Sequence, residues 1–173
     1  YGIALFDNRQ FPQAADAFDE VIDMKPADYL AFANTNKGMA LIEMSGWQEA
    51  EKFVNKALEL DPNNLRAVFQ RGRINRARGR LDKAEADFKR VLEGYPRDRL
   101  TLQQLGELSK IKSDVVPKTE RENQLKVAQN YYEQVLAIDP EDTGATYNLM
   151  ILYQKLGMRA EAQKMSKIFQ DLK

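Results

Sequence analysis

The 173 residues contain no cysteine and no histidine. Disulfides, thiolate nucleophiles, imidazole bases and the commonest ligands of zinc and haem are thereby excluded together. Also missing are a phosphate-cradling glycine loop, a nucleophile elbow, and paired carboxylates beyond those expected on exposed helix faces. No catalytic residue, metal site or cofactor is expected, and the chain reads as a non-enzyme. Lack of cysteine suits reducing and oxidising compartments equally, so it leaves the compartment open.

Excess charge of either sign is absent too, since 26 lysines and arginines meet 26 aspartates and glutamates. No global field favours nucleic acid or an anionic membrane, and any electrostatic preference must be local. No apolar run approaches the roughly 18 residues of a membrane span. The chain opens at Tyr1 with neither an initiator methionine nor a signal-like core, and it reads as a fragment.

With 43% hydrophobic and 30% charged residues, the chain can bury a sizeable core and keep a charged surface. Its clearest punctuation is proline: Pro26, Pro62, Pro96 and Pro140, at spacings of 36, 34 and 44. Two residues beyond each stands a helix-capping type, Asp28, Asn64, Asp98 and Asp142, whose oxygen can accept from an orphan amide of the next helix. Between prolines, apolar residues recur at helical spacing in two blocks broken by Ser45-Gly46, Gly79 or Gly157. Each unit is therefore helix, turn, helix. Matched small residues pair the two helices: Gly2 with Ala14, Gly38 with Ala50, Gly72 with Ala84, and Gly106 with Ala128.

This pattern resembles the tetratricopeptide repeat, W-x2-L-G-x2-Y, then A-x3-F, then P, over nearly the whole chain. The third unit carries Gly72, Ala84, Phe88 and Pro96 in register, and the second carries Gly38, Ala50, Val54, Ala57 and Pro62. The resemblance implies an all-α, right-handed α-solenoid of helix-turn-helix repeats. A single domain over 1–173 is expected, with units at about 1–28 (truncated), 29–64, 65–98, 99–142 and 143–173. The fourth unit holds a ten-residue insertion near 113–122, with Pro117 in the first turn of a second helix running to about Ile138. Asn34, Val68, Leu102 and Thr146 replace the family's tryptophan, and Lys37 and Arg71 its leucine; these sites are expected to be less fully buried. Met150 replaces the glycine of the last unit.

In such stacks the first helix of each pair lines a concave groove that receives a segment of a partner protein. Helical phasing places Phe32, Asn36 and Met39 in that groove, followed by Arg66, Phe69, Gln70, Arg73 and Arg76. Gln103, Glu107, Tyr147 and Asn148 continue it. The run Arg71 to Arg80 makes its middle basic, which is either a solvated face or a site for an acidic partner. Asn36 and Asn148 are candidates to bond a peptide backbone. Chaperone-binding relatives grip a terminal carboxylate with lysine and asparagine; here Thr35, Met39, Phe69 and Arg73 stand at those places, which disfavours a chaperone tail.

Ile3 and Phe6 at the start, and Met165, Ile168, Phe169 and Leu172 at the end, form apolar faces with nothing in the sequence to cover them. They are covered by the rest of a longer polypeptide, or they stack head to tail between copies into a fibre. The stretch from Val135 to Gly157 is also similar to closing repeats of bacterial exported proteins joined to multihaem modules. That likeness points to a periplasmic or extracellular setting and an accessory domain of a redox protein, with any haem held elsewhere. A protein-interaction scaffold ranks first, self-assembly second and the redox accessory third.

Overall fold

The computed structural model describes residues 1–24 and 27–172. These form ten α-helices and no strand: α1 (Gly2–Asp7), α2 (Phe11–Met24), α3 (Leu30–Glu43), α4 (Trp47–Leu60), α5 (Leu65–Ala77), α6 (Leu81–Gly94), α7 (Arg99–Val115), α8 (Lys118–Ile138), α9 (Thr143–Lys155) and α10 (Arg159–Asp171). They pair as α1 with α2, α3 with α4, α5 with α6, α7 with α8 and α9 with α10, the helix-turn-helix units expected of the solenoid class. Two compact units are present, Tyr1–Gly94 with three pairs and Tyr95–Lys173 with two.

Helix starts follow the capping residues at three of the four sites. Asn64 accepts from the Ala67 amide at 3.0 Å, Asp98 from Thr101 at 2.8 Å, and Asp142 from Ala145 at 2.7 Å. Asp28 does not cap; it sits in a short 3₁₀ turn, Ala27–Tyr29, before α3. The cause is register: Asp28 lies ten residues before Gly38, whereas Asn64, Asp98 and Asp142 lie eight before Gly72, Gly106 and Met150. The extra residues are absorbed in the 3₁₀ turn. Pro26 itself lies outside the described residues, as does Lys173.

In every repeat but the fourth the first helix ends at a left-handed residue, and its place recurs seven positions after the repeat's glycine: Arg9, Ser45, Gly79 and, after Met150, Gly157. At each, two amides fold back on the helix end, as in Gly79 N to Arg76 O at 3.0 Å and Arg80 N to Asn75 O at 2.9 Å. The break in the second repeat is therefore at Ser45, with φ +61°, while Gly46 keeps a negative φ.

Close packing within each pair centres on glycine against a ring or valine. A methyl group at Gly72 would stand 2.6 Å from Phe88, and one at Gly38 would stand 2.6 Å from Val54. Gly2 meets Phe18 and Gly106 meets Tyr132 in the same way, at 2.9 Å each. The paired alanines Ala14, Ala50, Ala84 and Ala128 are fully buried beside these contacts. In the last pair the equivalent registers hold Met150 and Ser166, both half-buried.

The substituted family positions are more buried than expected. Asn34 and Thr146 are buried because each satisfies its polar group on its own helix, Asn34 Nδ2 to Leu30 O at 2.7 Å and Thr146 Oγ1 to Asp142 O at 2.9 Å. Val68 and Leu102 are buried outright. Lys37 is only 7% exposed: its ammonium pairs with Asp19 on α2 and lies 4.0 Å above the Phe53 ring. A carboxylate and an aromatic face replace the water that snorkelling would have supplied. Arg71 keeps partial exposure and grips Asp87 through Nε and Nη2 at 3.1 and 2.6 Å.

The ten-residue surplus of the fourth repeat is helical, lengthening α7 to 17 residues and α8 to 21. Only Val116 and Pro117 separate them, and Pro117 occupies the cap position rather than the first turn. Arg121 Nε donates to Ser113 O at 3.0 Å, satisfying a carbonyl at the end of α7.

Candidate interaction surface

In the first unit the expected groove residues fall on α3 and α5, and one arginine ties the two helices together. Arg73 Nη2 donates to Glu43 at 2.9 Å and its Nη1 to Gln70 at 3.2 Å. Around this link, Phe32 stays 41% exposed while its ring meets Phe18 edge-on at 6.5 Å. Met39 and Phe69 are half-buried, Phe69 lying 5.6 Å from Phe88. Arg66 is exposed.

Two expected contact residues are not available. Asn36 is 4% exposed and donates Nδ2 to Phe32 O at 2.8 Å; Gln70 is 3% exposed and holds Arg73. Thr35 is buried as well, donating to Ala31 O at 2.8 Å and accepting from Asn64 at 3.3 Å. Helical phase alone cannot separate a groove position from one covered by the neighbouring repeat.

The basic run is not a bare cationic face. Of its five arginines, four are paired: Arg71 with Asp87, Arg73 with Glu43, and Arg78 and Arg80 both with Glu51 at 2.5 and 2.6 Å. The carboxylates at Glu43 and Glu51 belong to the preceding repeat, so these arginines bridge repeats. Arg76 has no carboxylate partner among the described residues, and its buried Nε has no hydrogen-bond partner. Arg66 is exposed and likewise has no carboxylate partner among the described residues.

In the second unit, Gln103 donates to Asp142 at 2.8 Å, and Arg99 pairs with the same carboxylate. Asp142 therefore caps α9 and holds α7 to it. Lys110 bridges Glu107 at 2.9 Å and Asn148 at 2.7 Å, and Tyr132 donates to Glu107 at 3.2 Å. Asn148 also donates to Gly144 O at 2.9 Å, so its amide is spent within the fold. Tyr147 is 47% exposed with its ring 5.5 Å from Phe169. Asp139 Oδ1 accepts from the Glu141 amide at 3.2 Å in the turn before α9.

Of the end residues, Ile3 is exposed, while Phe6 packs on Phe11 at 5.2 Å and Phe169 on Tyr147. Met165, Ile168 and Leu172 are half-buried. Among the described residues no acidic cluster is placed to hold a metal ion, and no helix is long and apolar enough to cross a membrane.

Two family models, both described as Tetratricopeptide repeat, match residues 35–99 and 121–166. The mouse (Mus musculus) peptidyl-prolyl cis-trans isomerase FKBP4 is 30% identical over 117 residues, covering 60% of this chain and 26% of that protein. Hsp70-Hsp90 organizing protein 3 of Arabidopsis thaliana is 25% identical over 146 residues, covering 80% of this chain and 25% of its own length. This chain thus spans about a quarter of either relative. PilF of Pseudomonas aeruginosa superposes with a TM-score of 0.80 at 17% identity, over 99% of this chain and 73% of that one, a likeness of fold alone. The chain belongs to the tetratricopeptide-repeat family, whose fold is generally a non-enzymatic protein-interaction scaffold.

Proposed function

We propose that this tetratricopeptide-repeat chain holds a segment of a partner protein on the first helices of its repeats and performs no chemistry of its own. The observation that supports this reading is the α3–α5 surface, where the Arg73–Glu43 bridge ties two first helices together, Phe32 is exposed on α3, and Arg66 and Arg76 stand at the two ends of α5. Apolar anchors flanked by cations without counterions suit a segment that carries hydrophobic side chains and an acidic group. The chaperone link in the name of the plant relative is not extended to this chain. Thr35, Met39, Phe69 and Arg73 stand at the places of the carboxylate-gripping lysine and asparagine, and Thr35 is buried.

Arg66→Glu with Arg76→Glu tests the reading, because neither side chain has a structural carboxylate to lose. The double variant should abolish capture of whatever partner the wild-type chain retains while leaving its helical circular dichroism intact. Undiminished capture by a folded double variant contradicts the assignment. Changing Arg73 would be less informative, since it breaks the Glu43 bridge as well.

A further inference from the structure

On the side of the second helices, a pocket of 340 Å³ opens within the first unit between α4, α5 and α6. Glu51 and Asn55 of α4 form one wall and Lys83 and Ala86 of α6 the other, with Arg80 in the turn between α5 and α6. Arg71, Asn75 and Asp87 make the floor. The floor is fixed: Asp87 is buried, receives Arg71 through two nitrogens, and accepts from Asn75 Nδ2 at 2.8 Å.

The charges lining this pocket do not balance. Arg71, Arg80 and Lys83 face only Glu51 and Asp87, and both carboxylates are already engaged. Glu51 is moreover shared with Arg78, so two guanidinium groups divide one carboxylate. Lys83 and Asn55 have no partner among the described residues and both are exposed at the rim. A rigid pocket whose cations outnumber its carboxylates calls for a further anionic acceptor, since charge-assisted hydrogen bonds are the strong ones. A phosphate would set its further oxygens against the two carboxylates of the lining. The volume lies near the lower bound of ligand pockets and admits a side chain rather than a folded segment.

We propose that this pocket receives the carboxylate of a glutamate or aspartate side chain from an acidic segment of a protein partner. Lys83 and Arg80 donate to the carboxylate oxygens, and the Asn55 amide supplies a neutral donor. Its three donors lie on α4, on α6 and in the turn between α5 and α6, and none belongs to the proposed α3–α5 contact residues, so it stands or falls independently of that assignment.

The test is a fluorescence-anisotropy titration of the whole chain with a fluorescein-labelled hexaglutamate peptide at low salt, with a hexaglutamine peptide as control. Hexaglutamate should bind and hexaglutamine should not. Lys83→Glu, at an exposed position without a partner, should weaken binding by about tenfold through charge reversal. Lys164→Glu, at an exposed position on α10 of the second unit, should change it by no more than about twofold. Inorganic phosphate at the peptide's concentration should not displace it. Absence of binding, equal binding of hexaglutamine, or indifference to Lys83→Glu overturns the proposal. An equal loss with Lys164→Glu also overturns it. Displacement by phosphate would show a general anion site and refute the side-chain assignment.

Discussion

The third and fifth repeats build the same helix pair with opposite assignments of size. In the third, Gly72 on the first helix lies against Phe88 on the second, which is fully buried. In the fifth, the corresponding registers carry Met150 and Ser166, a large residue on the first helix and a small one on the second. What the fold requires is a filled joint between the helices, and either helix can supply the volume. The consequence differs for the surfaces outside. A second-helix ring lets the first helix approach closely, and that first helix is the one presenting the proposed contact residues.

Removing the ring should expose this dependence most strongly. Phe88→Ala deletes a fully buried side chain facing a glycine that cannot refill the space, and should cost about 3 to 5 kcal/mol in denaturant unfolding. Ser166→Ala, at the same register of the fifth repeat, should be within about 0.5 kcal/mol of wild type. Comparable costs at both positions would break the comparison.

Met150→Gly should destabilise by about 2 kcal/mol, from lost partial burial and helix propensity. Adding Ser166→Phe should restore about 1 kcal/mol by recreating the third repeat's arrangement. Failure of the second change to recover anything would show that the two positions do not share a joint.

A smaller effect separates the second unit by pH. Burial first, and then the hydrogen bond to Glu133 at 2.8 Å, push the Tyr153 hydroxyl from an ordinary 10.0 up to about 12. Since the raised value belongs to the folded state, the stabilisation is complete below pH 10 and is lost as pH rises through 12. Tyr153→Phe should cost about 1 kcal/mol at neutral pH, a difference from wild type that closes between pH 10 and 12. A difference that persists unchanged at pH 12 would show that the hydrogen bond is not its source.

The smallest expected effect is a gain. Ser45 and Arg9 occupy the left-handed position that Gly79 and Gly157 fill in the third and fifth repeats. Ser45→Gly should raise stability by about 0.5 kcal/mol, and a loss would mean that the serine contributes something beyond its backbone geometry.

The repeat architecture was legible in the sequence because its signals are local. Pro62, Pro96 and Pro140, the caps Asn64, Asp98 and Asp142, and the glycine registers lie within a few residues of what they control. The left-handed turn at Arg9 was hidden because Arg9 is not a glycine, whereas the break at Ser45-Gly46 was read and only its left-handed residue, the serine, was not. Burial of Lys37 depends on Asp19 and Phe53, which no local pattern connects to it. For the same reason the arginine run read as a basic face: its neutralising partners Glu43 and Glu51 are contributed by the preceding repeat. Asn36 and Gln70 have the phase of a groove position yet are covered, so phase alone does not tell an accessible residue from a buried one.

The central claim, that a partner segment lies on the first helices, is tested most directly by site-specific photocrosslinking. A photoreactive phenylalanine analogue is placed at Phe32, at Phe69, or at Leu60, an exposed second-helix position. The account predicts one common crosslinked polypeptide from Phe32 and Phe69, lost when Arg66→Glu and Arg76→Glu are added, and none from Leu60. Crosslinks from Leu60 with silence at Phe32 and Phe69 would contradict it.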